Sequence, residues 1–269
     1  MKDYIGENES ILQEWECFNS EREENPNFAP DGILYKGEIY NEVGYCERYQ
    51  DKEAENKLWN DAPIRYLFIT KDQNAEDEDA WDVRSETARR EKESGSIPLR
   101  FYRNLLYVLY GLTHTSTEAM CGYEDFTNEQ AIKTYDTEAI ARINVKKQAG
   151  GASIGNDKLQ EYLERDKNFI LRQITCLDAD VIVCCGYSDN VKDSGNLILN
   201  FLNKNGYKFE AKVNDYIYYD SNKNKIAINA WHLSYRGIKQ KDFFEGIISA
   251  YYTFISENQN FLESHRIDK

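Results

Sequence analysis

The stretch Ile64-Arg-Tyr-Leu-Phe-Ile-Thr-Lys-Asp-Gln-Asn74 carries the first decision about the fold. It starts as a short apolar run, Tyr66 to Ile69, and turns abruptly polar at Thr70. Pro63 stands at its entrance, where a strand tolerates proline. A buried strand that stops at Thr70-Lys71-Asp72-Gln73-Asn74 aims polar side chains past the edge of a sheet. In an open α/β sheet, ligands sit at that carboxyl edge. A buried strand followed by an ordinary polar loop accounts for the same residues. What separates the two readings is how the later strands end.

Working outward, Ala139 to Val145 reads as a second strand. It stops at Lys146-Lys147-Gln148, which reads as a solvated turn, and runs into the glycine-rich segment Ala149 to Gly155. The Gly150–Ser153 turn could bring backbone N–H groups to a phosphate, although it lacks the P-loop spacing. Asp180-Val-Ile-Val-Cys-Cys-Gly186 is the clearest buried strand in the chain. Tyr216–Tyr219 and Lys225–Ala230 flank the turn-rich Asp220–Asn224 and suit a hairpin. The second of these ends in Trp231-His232-Leu233-Ser234-Tyr235-Arg236-Gly237.

Helical spacing falls between these strands. It covers residues 8–24, 51–61 and 100–112. One or two short helices are expected within 116–136, where Thr127 and Gln130 form a capping box. One long helix is expected from Asn156 or Asp157 to Leu177, then others at 194–205 and 241–257. Strands near 64–70, 139–145, 180–185 and 225–230 therefore alternate with helices. That pattern predicts a three-layer α/β/α sandwich around a mostly parallel four-stranded sheet. One α/β domain over residues 1–269 is expected, with a helical and extended N-terminal arm, 1–61, packed on a 62–258 core. Phe28–Tyr45 reads as an extended arm or small hairpin. The polar connection 76–95 is either functional or a solvated insertion.

Composition narrows the function classes. Hydrophobic residues are 41% of the 269, with 20 Tyr, 12 Phe and 4 Trp, enough for a substantial core. The formal charge of −14 weakens sequence-blind contact with nucleic acid or anionic membranes. No apolar run approaches the roughly 20 residues that span a bilayer, and the first residues lack a signal-peptide core, so a cytoplasmic protein is expected. The six cysteines include no C-x-x-C pair, and there are three histidines. Zinc templates are unmet, so buried free thiols are expected, with no metal, iron–sulfur cluster or other cofactor.

Three strands end in residues with chemical potential: Asp72, Asn144 and His232. Together they suit cleavage of a bond to a heterocycle. An Asp orients water or stabilises a developing cation, an Asn reads an amide-like base edge, and a neutral His donates to an oxygen that gains negative charge. Each also has a structural role open to it: Asp72 as a loop cap or partner of Lys71, Asn144 as a buried backbone tie, His232 as a satisfied core histidine. The dinucleotide-binding spacing G-x-G-x-x-G is absent.

In their order along the chain, these segments resemble the uracil-DNA glycosylase superfamily. Thr70-Lys71-Asp72-Gln73-Asn74 is similar to its first motif, with Thr70 and Gln73 in place of glycine and proline. Ile97-Pro98-Leu99-Arg100-Phe101-Tyr102-Arg103-Asn104-Leu105 is similar to its Pro-x-Leu-x-Asn helix start. Ile143-Asn144-Val145, Leu177 to Gly186, and His232-Leu233-Ser234 follow, with Leu233 in place of a loop proline. The resemblance covers roughly 62–256. It implies hydrolysis of the N-glycosidic bond of a flipped uracil or modified base in DNA. Asp72 and His232 would be catalytic. Asn144, Lys71, Gln73 and Ser234 would bind substrate. Leu233, Tyr235, Arg236 and Ser153 would contact nucleic acid in a local groove, and Trp81 is the candidate stacking aromatic. The rival expectations are a non-catalytic nucleobase, nucleic-acid or protein binder of the same fold, and a small-molecule nucleosidase.

Overall fold

The computed structural model describes residues 1–22, 27–40, 46–73, 80–86, 96–150, 154–187 and 196–267. In chain order the elements are α1 (Tyr4–Ser20), β1 (Gly32–Ile33), β2 (Gly37–Tyr40), β3 (Cys46–Tyr49), α2 (Lys52–Asp61), β4 (Tyr66–Thr70), a single 3-10 turn (Val83–Ser85), α3 (Arg100–His114), α4 (Asn128–Thr137), β5 (Ile140–Asn144), α5 (Asn156–Arg165), α6 (Lys167–Leu177), β6 (Val181–Tyr187), α7 (Leu197–Lys204), β7 (Glu210–Val213), β8 (Ile217–Asp220), β9 (Lys225–Trp231), α8 (Gln240–Glu257) and α9 (Gln259–Ile267). The Thr127–Gln130 capping box forms at the start of α4.

The architecture is α/β. The central sheet has seven strands in the order β1-β5-β4-β6-β9-β8-β7. Strands β5, β4, β6 and β9 run parallel, while β1, β8 and β7 add antiparallel. The expected four strands are thus the parallel centre of a wider sheet. Of the extra ones, β8 is the expected hairpin partner of β9, and the other two escape a periodicity reading for physical reasons. β1 is two residues long, and β7 is a largely exposed edge with no apolar run. The arm supplies β1 to the main sheet, and β2 pairs with β3 as a separate hairpin. The expected long helix is two, α5 and α6, meeting at the buried Asp166.

Period-two alternation builds two cores, one on each face. Tyr66 and Phe68 of β4 join Val181, Val183, Ile226 and Ile228 under α3, α4 and α8. Leu67 and Ile69 join Ala141, Ile143, Ile182 and Cys184 under α1, α5, α6 and α7. Because both faces are covered, all five residues of β4 and of β5 are buried. On one side α3 crosses α8 closely: a Cβ at Gly111 would lie 2.6 Å from the Ile248 side chain. Cys121, Cys176, Cys184 and Cys185 are buried free thiols. Among the described residues no helix is long and apolar enough to cross a membrane.

Candidate functional site

The helices that follow β4 lie on one face of the sheet, and those that follow β5 lie on the other. Adjacent parallel strands whose connections diverge in this way open a crevice at their carboxyl ends. In the parallel order β5-β4-β6-β9 that switch point falls between β4 and β6; on the other side of β4, its end Thr70-Lys71-Asp72 meets Asn144-Val145-Lys146 of β5. Pairing runs past the strands, with Val145 N–H donating to Thr70 O (3.0 Å), Lys146 N–H to Lys71 O (2.9 Å) and Gly150 N–H to Gln73 O (3.2 Å). The Asp72 and Lys146 side chains are 11% and 15% exposed, and Asp72 Oδ2 lies 4.0 Å from Lys146 Nζ. Burial pushes the Asp72 carboxyl above the usual carboxylate range, with Lys146 and Lys71 working the other way. Burial also pulls the Lys71 ammonium down, opposed by Asp72.

Asn144 is 1% exposed. Its Oδ1 accepts from the Thr70 hydroxyl, and its Nδ2 has no partner among the described residues. Its main chain is held on both sides. The N–H donates to Asp31 Oδ2 (2.7 Å), and the carbonyl accepts from Lys147 Nζ (2.9 Å). Lys147 Nζ reaches both Asp31 oxygens at 2.6 Å and Gln173 Oε1 at 3.1 Å. Gln173 Nε2 in turn donates to Asp31 Oδ1 (2.8 Å) and Asn8 Oδ1 (3.0 Å). Lys147 is fully buried, which corrects the reading of Lys146-Lys147 as a solvated turn. Burial pulls its ammonium down, and Asp31 opposes this. The arm therefore grips the end of β5 through an ion pair buried from water.

At the end of β9, the Ser234 N–H donates to His232 Nδ1 (3.3 Å), and Ser234 Oγ lies 2.8 Å from the same nitrogen. A backbone N–H can only donate, so Nδ1 is an acceptor and the neutral ring carries its proton on Nε2. Burial, aided by the charges of Lys71 and Arg142, lowers the His232 pKa to about 4. The ring is neutral at pH 7, with a donor on the side away from Ser234. It lies 6.0 Å from the Phe101 ring. Leu233 is fully buried, and its carbonyl accepts from Asn104 Nδ2 at 2.6 Å. A wedge role for the Leu233 side chain would require it to leave the core. Tyr235 stacks on Trp231 at 4.4 Å, and Arg236 is exposed.

Gln73 is buried, and both ends of its amide bond one neighbour. It donates to Trp81 O (2.9 Å) and accepts from Trp81 N–H (3.2 Å), so it fixes the Trp81 backbone. Trp81 Nε1 donates to Glu86 Oε1 (2.6 Å). Glu86 belongs to a cluster that sequence reasoning missed. Arg142 holds it with two hydrogen bonds, Nη1 to Oε2 and Nη2 to Oε1, the Tyr102 hydroxyl donates to it, and Arg142 lies 5.1 Å over the Phe101 ring. The available signal was a lone arginine inside the otherwise apolar run Ile140-Ala-Arg-Ile143. Ser153, Asn74 and most of 76–95 lie outside the described residues.

Thr70, Lys71, Asp72, Asn144 and Lys146 thus lie together at the joined carboxyl ends of β4 and β5. His232, two strands from β4, faces the same edge within the field of Lys71. Among the described residues no group of His, Cys, Asp and Glu could hold a metal ion. No model of a known protein family matches the chain, and no curated protein matches it.

Proposed function

We propose that this edge binds a nucleobase and hydrolyses its N-glycosidic bond. The observation that carries the reading is the Asn144 amide. It is 1% exposed, its oxygen is engaged by Thr70, and its Nδ2 donors have no partner among the described residues. A buried donor left unmade costs about 1–3 kcal/mol, a penalty that a carbonyl on a base edge would relieve. Asp72 would orient the attacking water and take its proton as the water oxygen bonds to the sugar carbon. Its raised pKa suits that transfer. The C–N bond pair would leave with the base, and the His232 Nε2–H would donate to the oxygen where this charge collects.

The resemblance to uracil-DNA glycosylases favours an extruded base in DNA as substrate. A free nucleoside or nucleotide is the second reading. It is favoured by the burial of Leu233 and the formal charge of −14, since a wedge and a basic footprint serve duplex binding. The test is base release from oligonucleotides carrying uracil, hypoxanthine, or oxidised or alkylated bases, and from the matching nucleosides and nucleotides. Asp72→Asn and His232→Ala are each expected to lower the rate at least about tenfold, since contacts of this type are commonly worth 10² or more. Rates unchanged in both variants refute the assignment. Retention of bases without release points to a binding protein.

A further inference from the structure

His232 is not placed by its own loop alone. Helix α3 lies against that loop: Asn104 Nδ2 donates to the Leu233 carbonyl, Arg100 Nη2 donates to the Ile238 carbonyl, and the Phe101 ring sits 6.0 Å from the imidazole. The position of the imidazole therefore depends on the first turn of α3. A first turn is commonly fixed by a side-chain cap, but the capping position here is Leu99, whose side chain makes no such bond. The turn is held from outside instead. The Tyr102 hydroxyl donates to Glu86, and the Arg142 guanidinium lies 5.1 Å from the centre of the Phe101 ring. Phe101 thus stands beside both Arg142 and His232.

Glu86 makes this arrangement rigid. Among the described residues its carboxylate accepts two bonds from Arg142, one from the Tyr102 hydroxyl and one from Trp81 Nε1. Four donors use every acceptor direction of a carboxylate. They come from β5, from α3 and from the segment before Glu86 that carries Trp81. The Arg142 and Glu86 side chains are 5% and 8% exposed, so water does not loosen the pair. We infer that Arg142 is a positioning residue for His232: clamped by Glu86, it sets the Phe101 ring against the imidazole and keeps a fixed cation beside it. This rests on the reading of His232 as a neutral donor to a departing base, and it names the group that keeps the donor in place. The charged side chains whose field reaches the ring are Lys71, from the end of β4, and Arg142, from β5. Both oppose a proton on Nδ1, and so both preserve the donor form of the ring.

Histidine NMR tests this without any substrate, with the His232 signals assigned by their loss in His232→Gln. The wild-type ring titrates near 4. Arg142→Gln removes the cation and is expected to raise that value to about 5 or above, as loss of one nearby like charge predicts. Arg142→Lys should restore a low value. Glu86→Gln keeps the cation and should not raise it. General loosening gives a different pattern, because water admitted by either substitution moves the ring towards 6.5 in both variants. Should Arg142→Gln fail to fold, with Glu86 left buried without its partner, the double variant Glu86→Gln/Arg142→Gln buries no lone charge and carries the same test. A raised titration in Glu86→Gln as well as in Arg142→Gln, or in neither, overturns the proposal. In base release, Arg142→Gln should lower kcat about tenfold with KM little changed, and its acid limb should move up with the ring. The NMR pattern without base release from any substrate supports the positioning role and refutes the hydrolytic reading instead.

Discussion

Acidification is the perturbation that isolates His232. Its imidazole titrates near 4 in the folded chain, against an ordinary value of 6.5. Between these values the unfolded chain holds a proton that the folded chain refuses. Stability must therefore fall as pH drops through this window, and the loss is complete below the folded value. Each pKa unit is worth about 1.4 kcal/mol, so the full window amounts to ~3 kcal/mol at most, trimmed by water that reaches the partly exposed ring. Carboxylates titrate in the same range, so the wild type is compared with His232→Gln, whose amide oxygen can still accept from the Ser234 N–H. Urea denaturation at about pH 7 and pH 4.5 should show the wild type losing roughly 2 kcal/mol more than the variant. Histidine NMR should show a neutral ring protonated at Nε2 throughout the physiological range. For catalysis, the acid limb then belongs to Asp72 and to His232 near 4, with no inflection at 6.5. A ring that titrates near 6.5, or equal pH dependence in the two proteins, refutes the argument that this nitrogen is a neutral donor.

Two further outcomes follow from burial at the same edge. Lys147→Met should destabilise the protein by about 3–5 kcal/mol in urea denaturation, because it leaves the Asp31 carboxylate buried without its cation; adding Asp31→Asn should recover part of the loss. Leu233→Ala should lower stability by about 2–4 kcal/mol as a buried large-to-small change. It should also weaken ligand binding by loosening the His232 loop, which hydrogen exchange across residues 232–237 would register.

The parallel centre of the sheet was legible because its strands are short apolar runs bounded by polar or glycine breaks. The runs 64–70, 139–145, 180–185 and 225–230 match β4, β5, β6 and β9 to within a residue or two. Of the flanking strands, β8 was legible as the hairpin partner of β9, while β1 is too short to carry a period and β7 is exposed on its edge. Within the site, Asp72, Asn144 and His232 could be named because each ends a recognisable strand. Lys147 could not be read correctly. Its partner Asp31 lies 116 residues earlier, and nothing local distinguishes a lysine bound there from one in water. The Gln73 contact was hidden in a similar way, because the Trp81 backbone that its amide bonds sits across a loop.

These long-range pairs also alter the view of the N-terminal arm. From sequence, residues 1–61 read as an arm packed on the 62–258 core. Asp31 instead receives the Asn144 N–H and neutralises the cation that holds the Asn144 carbonyl. Asn8 and Gln173 then saturate the remaining polar atoms around that carboxylate. Without the arm, β5 would end in a buried ammonium with no counter-ion, and its outer edge would lose β1. Buried polar groups of this kind stabilise a single arrangement only when every member is satisfied. The arm therefore fixes the main chain of Asn144 at the end of β5.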